Sequence, residues 1–132
     1  MFVPTKKKVN IGSIFPVRDF TYVKDTVNGF IKIAESENSI GTTINIGSGK
    51  GIKIKDLFYK LCFLTNKKAS LVLDTERIRP KKSEVSVLVC SNKKAKKILN
   101  WKPLYSFESG LQDTIQYIEK NLNKYKTNIY NL

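Results

Sequence analysis

The sequence predicts a small α/β domain in which several helices pack on a few short strands. Three observations carry this expectation. Four stretches repeat apolar residues at the i, i+3, i+4 spacing of a one-sided helix. Short β-prone runs lie between them, closed by Gly, Pro, Asn or Ser. The 132 residues, 41% of them hydrophobic, suit one core rather than two domains or a disordered chain.

In chain order, Val9 and Ile11 alternate with polar neighbours until Gly12-Ser13 breaks the run. That predicts a strand, a turn and a second strand from about Val17, paired like a hairpin. Extended geometry through Arg18-Asp19-Phe20-Thr21-Tyr22 would put Arg18, Phe20 and Tyr22 on one face. An arginine flanked by aromatics suits a planar, anionic ligand; a solvated arginine at an ordinary strand–helix junction accounts for the same residues. Asp25 stands where a helix N-cap belongs. Val27, Phe30, Ile31 and Ala34 then predict a helix from about Thr26 to Ser36 that buries this stripe.

Thr42-Thr43-Ile44-Asn45-Ile46 is β-prone and stops at Gly47-Ser48-Gly49-Lys50-Gly51. That cluster is not a phosphate-cradling P-loop. Ile44 stands where the first glycine is needed, and Gly51 supplies no hydroxyl for magnesium. It is not a dinucleotide fingerprint either, because Ile52 replaces the third glycine. A tight strand-to-helix turn remains.

A second helix, about Ile54 to Thr65, carries Ile54, Leu57, Phe58, Leu61 and Leu64 on its apolar side. Lys53 is a poor N-cap for it, at a cost of about 1 kcal/mol, and Asp56 recovers part of that through the helix dipole. Strands are expected at Ser70–Asp74 and Val85–Val89. Ser91 is expected to cap a short helix over Asn92–Leu99 that buries Ala95, Ile98 and Leu99. Asn100, tolerant of left-handed geometry, ends it. Ser106 caps the last helix, with Phe107, Leu111, Ile115, Ile118 and Leu122 inward and a polar tail after Lys124.

The formal net charge of +13 raises a nucleic-acid reading. Its make-up weakens that reading: only three of 24 basic residues are arginine, and the lysines are scattered. Nonspecific polyanion binding at low salt is expected, without specific nucleic-acid recognition. The arginines are the better clue, because forked recognition of phosphate favours arginine over lysine. They fall at two loci, Arg18 and the pair Arg77/Arg79. Pairing of the latter with Glu76 or Glu84 is the competing account. Cys62 and Cys90 read as small buried residues, with neither a zinc site nor a disulfide expected. No run is long and apolar enough for a membrane span, and the N-terminus lacks a signal-peptide core. A cytoplasmic location is the default.

Several motifs in register carry a resemblance. They are Arg18-Asp19-Phe20-Thr21-Tyr22-Val23-x-Asp25, Ile44-Asn45-Ile46-Gly47-Ser48-Gly49, the Lys-Ala-x-x-x-Leu-x-Trp-x-Pro pattern ending at Pro103, and Gly110-Leu111-x-x-Thr114-Ile115. Together, from about Ile11 to Asn121, they resemble the C-terminal half of extended short-chain dehydrogenase/reductase enzymes, the NAD-dependent sugar-nucleotide epimerases and 4,6-dehydratases. The segment Glu76-Arg77-x-Arg79-Pro80-x-x-Ser83-Glu84-Val85 is most similar to the dehydratases that make legionaminic-type nonulosonic sugars.

The resemblance implies one sugar-nucleotide-binding lobe over residues 1–124, with 125–132 as a tail. It implies that Arg18 and Arg79 hold a diphosphate from opposite sides, with Phe20 beside the nucleotide and Glu84 as the nearest match to a ribose-holding acid. Asp25, Asn45 and the glycines look structural. NAD is the cofactor of the parent family. No cofactor site is expected in this chain, since none of its six tyrosines has a lysine four residues later and no dinucleotide fingerprint is present. It therefore reads as the substrate lobe without the Rossmann half, an expression fragment or a separately encoded remnant. A nucleoside-diphosphate sugar is the expected ligand. A homo-oligomer or a separate Rossmann-half chain are the protein partners it leaves open, and a non-catalytic interaction module is the alternative function.

Overall fold

The computed structural model describes residues 7–78, 80 and 83–125. Among the described residues, five short strands and four α-helices follow in the order β1 (Lys7–Ile11), β2 (Val17–Asp19), α1 (Val23–Ala34), β3 (Gly51–Lys53), α2 (Ile54–Leu64), β4 (Ala69–Leu73), β5 (Val87–Leu88), α3 (Lys93–Leu99) and α4 (Phe107–Lys120). The small α/β class is as expected.

The strands form two sheets rather than a hairpin. β1 pairs in parallel with β4, from Lys7 opposite Ala69 to Ile11 opposite Leu73. β2 lies between β3, antiparallel, and β5, parallel. The expected pairing of β1 with β2 does not occur. β1 finds its ladder 62 residues downstream, and Gly12 passes so close to the Arg77 carbonyl that a Cβ there would collide with it. Arg77 ties the same corner, through Asp74 at 2.9 Å and the Asn10 carbonyl at 3.4 Å. Glu84, one of the two acids expected at the second arginine locus, forms an ion pair with Arg18 at 2.7 Å.

α2 and α3 bury the stripes that their spacing predicts. Phe58 is buried with Ile54, Leu57, Leu61 and Leu64 half-buried around it, and Ala95 and Leu99 close with Trp101 into the densest cluster. Lys53 is the N-cap of α2 and makes no side-chain cap bond. Asn100 ends α3 at φ +49°, and the Ser106 hydroxyl accepts the Ser109 N–H at the start of α4. The N-cap of α3 is Asn92 rather than Ser91, and its amide is spent on the Gly47 carbonyl instead of the helix. The inward stripe of α4 holds through Ile115, but Ile118 and Leu122 are exposed. Cys62 and Cys90 are free thiols, half-buried rather than buried. Only Tyr125 of the anticipated tail lies among the described residues.

α1 departs most from expectation. It begins at Val23 with Tyr22 as N-cap, so Asp25 falls inside the first turn. Asp25 is 2% exposed, and its two carboxylate oxygens accept the Leu104 N–H at 2.8 Å and the Tyr105 N–H at 3.3 Å. It clamps the start of α1 to the loop entering α4. Gly110 lets α4 close against the Tyr22 ring, where a Cβ would sit 2.8 Å from the Tyr22 Cβ. Tyr22 packs edge-on against Tyr105, with 4.9 Å between ring centroids, and donates to Asp113 at 3.0 Å. The stripe Val27, Phe30, Ile31 and Ala34 is not buried: all four are exposed, and Asp25 and Gly29 face inward instead.

Two measurements test this packing. Asp25→Ala leaves the Leu104 and Tyr105 amides without their acceptor and empties a buried position, and we expect a loss of about 3 kcal/mol in urea unfolding; a loss below about 0.5 kcal/mol would contradict the clamp. Glu108, at the start of α4, is held below the usual glutamate range, first by its hydrogen bond from Lys60, then by its own backbone amide. A lowered folded pKa means that this contribution is present above the ordinary glutamate pKa and lost as pH falls through the folded value. An NMR titration should show Glu108 returning toward its ordinary midpoint in Lys60→Met.

Candidate functional site

β2 is three residues long, and each does a different job. Val17 donates its N–H to the Ser86 carbonyl at 2.8 Å. Arg18 lies opposite Ile52 of β3 and Leu88 of β5, so its backbone is fixed from both sides. Its Nη1 donates to the Val17 carbonyl at 2.9 Å, and its Nη2 forms an ion pair with Glu84 Oε1 at 2.7 Å. Both side chains of that pair are 23% exposed. Two of the five guanidinium N–H donors are thus engaged, and the group stays reachable from solvent.

Asp19 ends the strand and organises the surrounding loops. Its Oδ2 accepts the Gly49 N–H at 2.8 Å and the Cys90 N–H at 3.1 Å; its Oδ1 accepts the Ser48 N–H at 3.1 Å and the Ser48 hydroxyl. The Thr21 hydroxyl adds a long bond at 3.4 Å. The Gly47–Gly49 turn is therefore an amide nest closed by a carboxylate from its own chain. That is the physical reason why it does not serve as a phosphate cradle. Gly49 takes φ +74°, and Gly47 abuts Cys90 so closely that a side chain there would collide with the thiol. Burial and the nearby Asp19 charge push the Cys90 thiol pKa up, which leaves it a poor nucleophile at neutral pH. Sequence reasoning missed Asp19; the available signal was an acid at a strand end facing a Gly-Ser-Gly turn.

Of the residues expected at the site, Arg18 and Glu84 are brought into contact across 66 positions. Phe20 follows the strand, 38% exposed, its ring 6.3 Å from that of Phe107. The alternation that would align Arg18, Phe20 and Tyr22 ends at Asp19, because Tyr22 is committed to Tyr105 and Asp113. Arg79 lies outside the described residues. No cluster of metal-ligating side chains occurs among the described residues, and no described helix is long and apolar enough to cross a membrane.

This architecture, a partly exposed arginine on the central strand of a small sheet beside a self-closed glycine turn, defines a small α/β lobe. The family profile described as GDP-mannose 4,6 dehydratase matches residues 3–114. The chain belongs to this family, the NAD-dependent sugar-nucleotide epimerases and dehydratases of the extended short-chain dehydrogenase/reductase class, and corresponds to their C-terminal lobe. It is 37% identical over 112 residues to UDP-glucuronate 4-epimerase of Thermodesulfobacterium geofontis, covering 83% of this chain and 32% of that protein. It superposes on the UDP-glucose 4-epimerase of Thermotoga maritima solved with UDP-glucose at TM-score 0.75 and 31% identity, over 89% of this chain and 36% of that one. For the dTDP-glucose 4,6-dehydratase of Bacillus anthracis in complex with NAD the values are 0.74, 26%, 92% and 37%. The chain thus spans about a third of the length of its relatives.

Replacing Asp19 tests the hub. Asp19→Ala strands the amides of Ser48, Gly49 and Cys90, and we expect about 3 kcal/mol or more of destabilisation. Asp19→Asn, which keeps one acceptor oxygen, should fall between the two. Wild-type stability in Asp19→Ala would show that the loops are held by something else.

Proposed function

We propose that the chain is the substrate-binding portion of an NAD-dependent nucleoside-diphosphate-sugar 4,6-dehydratase or epimerase, and that it holds the diphosphate of the sugar nucleotide. The observation that carries the reading is Arg18, locked on β2 by two neighbouring strands with its guanidinium still partly exposed. A pre-positioned fork loses little freedom on meeting a phosphate. Arg79 is the second diphosphate ligand in this proposal. Phe20 supplies an aromatic face beside the nucleotide, and Glu84, released from Arg18 when an anion takes its place on the guanidinium, accepts from the ribose hydroxyls; its contact with Arg18 supports this reading. The relatives solved with UDP-glucose and with NAD support the ligand class and the parent chemistry.

The lobe is catalytically incomplete on its own. The family's hydride chemistry needs a dinucleotide turn and a Tyr-x-x-x-Lys pair, and this sequence supplies neither. The one glycine-rich turn does not fit NAD, since Asp19 occupies the amides that a pyrophosphate would use. A second reading, a module that self-associates or binds a partner chain, is favoured by the exposed apolar side of α1.

UDP and UDP-glucose titrated into the chain at 150 mM salt, followed by NMR, test the diphosphate site. Weak binding is expected, with Kd roughly 0.1–10 mM, because part of the pocket is missing. Arg18→Ala should weaken it about tenfold or more, and Arg18→Lys should recover little of that loss. Lys67→Ala, an equal loss of charge elsewhere, should leave it unchanged. Equal responses from wild type and an Arg18→Ala, Arg79→Ala double variant would end the proposal.

A further inference from the structure

A guanidinium grips an anion with two parallel hydrogen bonds either through Nη1 with Nη2 or through Nε with Nη2, so both grips use Nη2. In Arg18 that nitrogen is engaged. It donates to Glu84 Oε1 at 2.7 Å, while Nη1 is spent on the Val17 carbonyl at 2.9 Å. Nε has no partner among the described residues. The side of the fork left for an anion is therefore Nε with Nη2, and an anion seated there meets a carboxylate of its own sign.

Glu84 is held within reach by its own backbone. Just beyond it the Ser86 carbonyl accepts the Val17 N–H at 2.8 Å, and Leu88 of β5 then pairs with Arg18 itself. Just before it the Ser83 N–H donates to the Pro80 carbonyl at 2.8 Å. The carboxylate is thus tethered beside the guanidinium, and its Oε2 has no partner among the described residues. With both side chains 23% exposed, the pair is neither sealed in the core nor fully solvated, and it opens without unpacking the domain.

We infer that the Arg18–Glu84 pair is an exchange latch that makes the site selective for a nucleoside diphosphate over free pyrophosphate. The inference rests on the proposed diphosphate site. An anion that takes Nη2 displaces Glu84 and loses the ion pair. Pyrophosphate offers the displaced carboxylate nothing, so the whole cost falls on its affinity. A nucleoside diphosphate brings ribose hydroxyls, which donate to the freed carboxylate and offset that cost. Glu84 is then a competitor toward a bare anion and a ligand toward the ribose that arrives with the correct one.

Glu84→Gln tests the latch, because the amide keeps the shape and removes the competing charge. An ion pair this exposed contributes little to stability, so the variant is expected to fold with unchanged circular dichroism. Pyrophosphate and UDP are titrated separately at physiological salt and followed by NMR. Pyrophosphate should bind at least roughly threefold tighter to Glu84→Gln than to wild type. UDP should gain less, so that the preference for UDP shrinks. Glu119→Gln, the same charge change on α4, should leave both affinities at their wild-type values. In the ligand-free chain, rotation of the Arg18 Nη groups, slowed by the ion pair, should quicken in Glu84→Gln. Pyrophosphate binding that is absent, unchanged or weaker in Glu84→Gln would overturn the latch. An equal gain for both ligands would overturn it too, because Glu84 would then be a plain like-charge repulsion. The diphosphate site fails on a different variant, Arg18→Ala binding UDP as wild type does, so the two ideas are told apart.

Discussion

The carboxylate of Asp19 is the constraint on which the site depends. From the end of a three-residue strand it gathers the amides of Ser48, Gly49 and Cys90, which come from two separate loops. Two consequences follow from this one side chain. The loops are held against β2, so Arg18, one residue earlier, acquires a fixed backbone. The glycine turn is also closed to external anions, because an internal anion already sits in it. Removal of this half-buried carboxylate leaves all three amides without their partner at once.

Asp25 repeats the device a turn and a half later, clamping α1 to the entry of α4 through the amides of Leu104 and Tyr105. Between the two carboxylates lies the junction of β2 with α1, and it is rigid for electrostatic rather than hydrophobic reasons. The hydrophobic contribution is small. Among the described residues the buried apolar side chains are Phe58, Ala95, Leu99 and Trp101, joined by Pro16, while α1 presents a whole apolar side to solvent. A lobe built this way has its two carboxylate joints made and its apolar surface unfinished. That combination agrees with a chain spanning a third of its relatives' length.

What was legible in the sequence was what depends on neighbours within a turn or two. The stripes of α2 and α3, the Ser106 cap and the left-handed Asn100 follow from local spacing and local backbone chemistry. Pairings across long separations were not. Nothing near Val9 announces that its ladder partner is Leu71, and nothing near Asp19 announces Cys90. The stripe on α1 was read correctly as a stripe and wrongly as buried, since periodicity reports that a face is apolar, not what covers it. Arg18 stood out because arginine is scarce here, while a ligand role for Glu84 came only from family resemblance, and the fold brings the two into contact.

The same scarcity makes the central claim, that β2 presents Arg18 to a diphosphate, directly observable. With three arginines in the chain, the ¹⁵N–¹H spectrum of the guanidinium Nε groups has three side-chain signals to assign. Addition of UDP-glucose at physiological salt should shift and sharpen the Arg18 signal while that of Arg77, bound through its own Nε to Asp74, stays in place. An unmoved Arg18 signal at ligand concentrations that perturb lysine-rich surfaces would contradict the account.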